Sequence, residues 1–100
     1  MGMMVYSVEG VVASKSDRAV VIEVLGIGFK CSVGRRTSTG LPKIGEKAIL
    51  YSHLHLHEGG HEGGVELYGF LSPEDLSFFE QLLSVSGVGP KSALALLDVT

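Results

Sequence analysis

Ala19-Val20-Val21-Ile22-Glu23-Val24-Leu25-Gly26-Ile27-Gly28-Phe29-Lys30-Cys31-Ser32-Val33 carries the plainest structural pattern in the chain. Ala19–Leu25 is a β-branched run, and Phe29, Cys31 and Val33 alternate with Lys30 and Ser32 at the period of a half-buried strand. Gly26-Ile27-Gly28 is a tight connection between the two. On the N-terminal side, the polar turn Ser14–Arg18 leads back to an apolar stretch, Val5, Val8, Val11 and Val12, broken by Gly10. On the C-terminal side, Gly34–Gly45 is polar and punctuated by glycine and proline, so it reads as a loop. Ala48–Leu56 is then a long strand and Val65–Phe70 a shorter one. Five strands joined without helices predict a mainly β unit, an OB-like antiparallel barrel closed so that no edge is exposed.

After residue 71 the period changes. Ser72-Pro73-Glu74-Asp75 is a helix start, with an N-cap serine, proline at the first helical position and acids in the first turn. Leu76, Phe79, Leu82 and Leu83 make one apolar stripe, and the helix should stop near Ser84–Ser86. Pro90 opens a second helix running to about Leu97. The predicted fold class is therefore β plus α, a barrel over residues 1–71 followed by the start of a helix-hairpin-helix unit over 72–100. The second helix is apolar over more than half its circumference and short, so its partner surface is expected to lie outside these residues, in a longer protein.

Composition narrows the chemistry. The chain has 100 residues, 45% hydrophobic and 19% charged, enough to bury a core. No apolar run approaches the ~20 residues of a membrane span, and the first dozen residues carry no Lys or Arg, which argues against a secretory leader. One cysteine, Cys31, makes no internal disulfide, sits on an apolar strand face and favours a cytoplasmic location. The net charge of −3 leaves no broad basic field, so any DNA contact must be local and geometric.

The strongest chemical signal is Leu82-Leu83-Ser84-Val85-Ser86-Gly87-Val88-Gly89-Pro90-Lys91-Ser92-Ala93. A Gly-x-Gly hairpin between short helices removes side chains that would block a phosphate and turns N–H groups outward at a helix N-terminus. Gly87, Val88, Gly89, Lys91 and Ser92 are the candidate phosphate-binding residues, with Lys91 adding a point charge; the bland alternative is an ordinary αα-hairpin. Arg35 and Arg36, beside Thr37, Ser38 and Thr39, are a possible second DNA contact or simply a solvated loop. His53, His55 and His57 share one strand face. His-x-His is a metal-ligand spacing, but three such residues spread over ~13 Å and cannot meet on one ion, so a polar solvent- or DNA-facing strand is preferred. The glycine-rich loop His57–Gly64 carries Glu58 and Glu62 at its tip. No catalytic constellation and no cofactor motif is found.

The order of these motifs resembles the RuvA family, the Holliday junction-binding subunits of the bacterial branch migration complex. The resemblance is carried by Leu67-Tyr68-Gly69-Phe70, by Gly87-Val88-Gly89-Pro90-Lys91 with Ala93-Leu94-Ala95, and by Ile22-Glu23-Val24 with Gly26-Ile27-Gly28-Phe29 and Leu41-Pro42 with Gly45. It covers essentially the whole chain. It implies a non-catalytic homotetramer that holds four-way junction DNA open in recombination, repair and the SOS response to DNA damage. It further implies an acidic pin at the crossover, for which Glu58 aligns best and Glu62 is the second candidate. The implied partners are the RuvB ATPase, recruited through a C-terminal domain beyond these residues, and the RuvC resolvase. The alternatives are a general single-strand-binding OB module and a metalloenzyme built on the histidine strand.

Overall fold

The structure is a computed structural model and describes residues 5–57 and 64–100. Its elements, in chain order, are β1 (Ser7–Lys15), β2 (Ala19–Val24), β3 (Ile27–Ser32), α1 (Arg35–Gly40), β4 (Lys47–His57), β5 (Gly64–Phe70), α2 (Pro73–Leu83) and α3 (Pro90–Asp98). The strands close into a barrel in the order β1-β2-β3-β5-β4. A ring of five strands cannot alternate direction all the way round, so one neighbouring pair must run parallel. That seam is β3–β5, a single register pair, Ser32↔Tyr68, while the other four neighbours pair antiparallel. β1 serves two partners, Val11–Lys15 with β2 and Ser7–Val11 with β4. A bulge between Val12 and Ser14 supplies the extra bend this requires.

The β2–β3 turn is tighter than the sequence predicts. Val24 pairs directly with Ile27, so Leu25 and Gly26 alone make the turn, both with positive φ (52° and 84°). Leu25 therefore leaves the strand and stands 98% exposed at the tip.

The polar stretch 34–45 is not wholly a loop, as expected, because residues 35–40 form α1. Neither apolar periodicity nor a capping side chain announces it; its cap comes from elsewhere in the fold. Gly34 offers no side chain at the N-cap, and the Asp98 carboxylate fills that role, accepting the Arg35 and Arg36 N–H groups at 3.1 Å each. A Cβ on Gly34 would lie 2.6 Å from Asp98 Oδ1, so the close approach needs glycine. Beyond the other end of the helix, Lys15 Nζ donates to the Leu41 carbonyl at 3.2 Å.

Among the described residues, two apolar clusters hold the molecule together. Inside the barrel lie Val8, Val12, Val20, Ile22, Cys31, Val33, Leu41 and Leu50. Burial pushes the Cys31 thiol up to about 11, in keeping with a core residue. The second cluster lies on the outer face, where Tyr68 and Phe70 of β5 meet Leu76 and Phe79 of α2 and Ala93 and Leu97 of α3. The expectation that the partner surface of α3 lies outside these residues is corrected for Ala93 and Leu97, which are buried against partners within the chain, while Leu96 stays 45% exposed.

Candidate nucleic-acid interface

The hairpin between α2 and α3 is built by short-range rules. Ser72 Oγ accepts the Asp75 N–H at 3.1 Å and starts α2, with Pro73 in its first turn. Leu76 and Phe79 anchor the helix on the barrel, and it ends at Leu83. Single-turn bonds then carry the chain round, Ser84 N–H to the Gln81 carbonyl and Val85 N–H to that of Leu82, both 3.1 Å. Gly87 at φ +87° reverses the path in the left-handed region, where any other residue would be strained. Gly89 is the extended N-cap of α3, and its carbonyl accepts the first helical bond, from Ala93 N–H at 2.9 Å.

This geometry leaves donors free. Among the described residues, the backbone N–H groups of Gly87, Gly89, Lys91 and Ser92 have no acceptor within the chain, and all four residues are exposed. The first turn of α3 has no acid of its own, so the partial positive charge of the helix terminus is uncompensated beside the Lys91 ammonium. Val88, expected among the phosphate donors, must be corrected. Its N–H donates to the Val85 carbonyl at 3.1 Å and its side chain packs on the outer cluster, so it shapes the turn and has no donor to spare.

Arg35 and Arg36 part company. The Arg36 guanidinium donates from Nε to Asp75 Oδ2 at 3.1 Å and from Nη1 to the Thr100 carbonyl at 3.2 Å, so it is already engaged inside the molecule. Thr37 and Ser38 are buried, with Ser38 Oγ donating to the Ser16 carbonyl at 2.8 Å, and the idea of a hydroxyl-rich solvated loop fails there. The Arg35 side chain remains exposed and lines a cleft between the barrel and α3, together with Arg18, Ser32, Glu66, Lys91 and Asp98. Sequence reasoning missed Arg18 because nothing in the order of residues says that positions 18, 35 and 91 meet.

The histidine strand is not the open polar face expected of it. His53 lies beneath α2 with its ring 5.5 Å from that of Phe79, and its Nδ1 is 2.8 Å from Glu80 Oε2. Only 16% of its side chain is exposed. His57 Nε2 is 2.9 Å from Glu66 Oε1, and Glu66 Oε2 accepts the Ser32 hydroxyl. That hydroxyl bond, more than its His57 contact, holds the Glu66 carboxyl below its ordinary value. Burial raises the neighbouring Tyr68 phenol to about 12, with the Glu66 charge adding to it. Among the described residues, no group of three His, Cys, Asp or Glu side chains is placed to hold a metal ion. Glu58 and Glu62, the expected pin acids, lie outside the described residues.

The family model for the RuvA N-terminal domain matches residues 4–69. A protein of Herpetosiphon aurantiacus named Holliday junction branch migration complex subunit RuvA is 46% identical over 95 residues, which is 95% of this chain and 46% of the relative. One of the same name from Chlorobium luteolum is 46% identical over 89 residues, 89% of this chain and 42% of the relative. A third, from Caulobacter vibrioides, is 38% identical over 96 residues, 96% of this chain and 45% of the relative. The chain thus spans less than half the length of these relatives. With all but the last residue of its five-stranded barrel inside the matched segment, and with these relatives 38–46% identical over 89–96% of its length, the chain belongs to the RuvA family.

Proposed function

We propose that this chain binds four-way DNA junctions, gripping the sugar–phosphate backbone at the start of α3 and reading no bases. The observation that carries the reading is the set of unpaired N–H groups at Gly87, Gly89, Lys91 and Ser92 beside the exposed Lys91 ammonium. Such contacts position a protein on DNA without sequence preference, which suits a clamp on a junction that must migrate. The names of the relatives support the junction as the target. In this reading the chain is a non-catalytic, cytoplasmic subunit acting as a homotetramer in recombination and repair. The ATP-driven work belongs to RuvB, and RuvC acts on the same junction. Glu58 and Glu62 stand at the crossover as repelling acids, and Arg35, with Arg18, meets the backbone beyond the hairpin. A single-strand-binding module would need exposed rings to stack bases. Tyr68 and Phe70 are instead spent in the outer cluster, and Tyr6 at 56% exposure is the most open aromatic among the described residues.

The test is a gel-shift series with four-way junction, duplex and single-stranded DNA. Junction should bind tightest, and Lys91→Glu should weaken it by about ten- to a hundredfold while lowering the salt dependence by about one counterion. The melting temperature should change little, and if anything rise, because an acid in the first turn of α3 suits the helix terminus. Equal affinity for all three DNA forms, or a Lys91→Glu variant that binds as well as the parent, would overturn the proposal.

A further inference from the structure

Asp98 occupies an unexpected place. A carboxylate in the last turn of α3 faces the negative end of its own helix, where charge favours Lys or Arg. The compensation lies across the molecule, where its two oxygens accept the Arg35 and Arg36 N–H groups, both at 3.1 Å. α1 has only six residues and no capping side chain of its own, so this bridge joins two helix ends that are each incomplete alone. A second bond runs parallel to it, from Arg36 Nε to Asp75 Oδ2 at 3.1 Å, and the Asp75 side chain is only 13% exposed. Both helices of the hairpin are therefore tied to one short helix of the barrel.

These bonds differ in kind from the rest of the contact between hairpin and barrel. The outer cluster of Tyr68, Phe70, Leu76, Phe79, Ala93 and Leu97 is apolar, and apolar attraction has no preferred direction. Paired hydrogen bonds to one carboxylate do have one, and they weaken steeply when rotated. The cluster holds the hairpin on; the carboxylate sets its angle.

We infer that Asp98, seconded by the Asp75–Arg36 pair, is a positioning residue that fixes the phosphate-binding start of α3 at a set angle to the barrel. In the proposed reading a four-way junction is met by the hairpin together with Arg18 and Arg35 of the barrel, and a plain duplex by the hairpin alone. Loss of the bridge therefore lowers affinity for the junction more than for the duplex. The inference rests on the junction-binding reading for its DNA arm only.

Two readouts keep the ideas separate. In the full chain, amide exchange at Arg35 and Arg36 and residual dipolar couplings of α3 against the barrel strands report the bridge without DNA. Asp98→Ala should speed exchange at both amides by about tenfold or more and reorient α3. Gly34→Ala should do the same from the barrel side, and D98N, which keeps one acceptor oxygen, should fall between. The double variant Gly34→Ala/Asp98→Ala should be no worse than either single change by more than about twofold, because both break one bridge. With DNA, Asp98→Ala should weaken the junction by about tenfold and leave the duplex within about twofold. Should Asp98→Ala fail to fold, Gly34→Ala and D98N carry the test. Unchanged exchange and couplings, multiplicative effects in the double variant, or an equal loss on junction and duplex each overturn the inference. A parent chain that does not prefer junctions overturns the proposed function instead, and the exchange data then judge the bridge alone.

Discussion

Among the described residues, His55 is the one histidine of its strand without a carboxylate on its ring. Burial holds its pKa below the ordinary 6.5, the neighbouring His57 and His53 charges push the same way, and Glu66 pulls weakly against them. As pH falls below about 6.5, the unfolded chain takes up a proton at this position before the folded one does, so stability declines on acidification. Glu66 acts lower on the scale. Its folded value lies below 4.5, so the stability it contributes is present above that value and is lost as pH falls through the folded value. Acid should therefore destabilise the protein in two stages. His55→Gln should remove the first, flattening the melting temperature between about pH 7 and pH 5, and a slope equal to the parent's would contradict the assignment. Neither effect is legible in the His-x-His-x-His spacing. The spacing shows that the rings share a face, but only the packed structure shows that α2 covers the first and that Glu66 reaches the last.

The elements differ in how openly the chain announces them. α2 carries its own start signal and stripe, and its bounds match the expectation to within a residue or so. Replacing Ser72 by Ala should cost about 1 kcal/mol in a denaturant titration, the usual worth of a capping side chain, and no loss would mean the cap is idle. Gly87 was legible as well, because a residue with positive φ between two helices leaves few alternatives to glycine. α1 was not, since Arg35-Arg36-Thr37-Ser38-Thr39-Gly40 has no periodicity to detect and takes its cap from a residue more than sixty positions away. α3 was read correctly in extent, but the burial of Ala93 and Leu97 within the chain was missed. Its stripe looked unpartnered because the cluster that receives Ala93 and Leu97 is assembled from Leu76 and Phe79 of α2 with Tyr68 and Phe70 of β5, and no local rule says that these elements come together.

Across the whole molecule, stability is divided between the barrel interior and the outer cluster, and Phe79 is the hub of the second. Its ring lies 4.7 Å from that of Phe70, 5.4 Å from Tyr68 and 5.5 Å from His53. Phe79→Ala should lose about 3–5 kcal/mol by denaturant unfolding and strip exchange protection from α2 and α3 first. A loss below about 1 kcal/mol would mean the hairpin does not rely on this cluster. The chain by itself determined the strands, the capped helix and the glycine hairpin, because each is written in residues close together and obeys a local period or turn rule. Only the tertiary structure decided that Val88 closes the turn, that Arg36 is engaged while Arg35 is free, that His53 lies under a helix, and that Asp98 caps α1. Those outcomes depend on which distant side chains come within hydrogen-bonding reach, and that distance is set when the barrel closes.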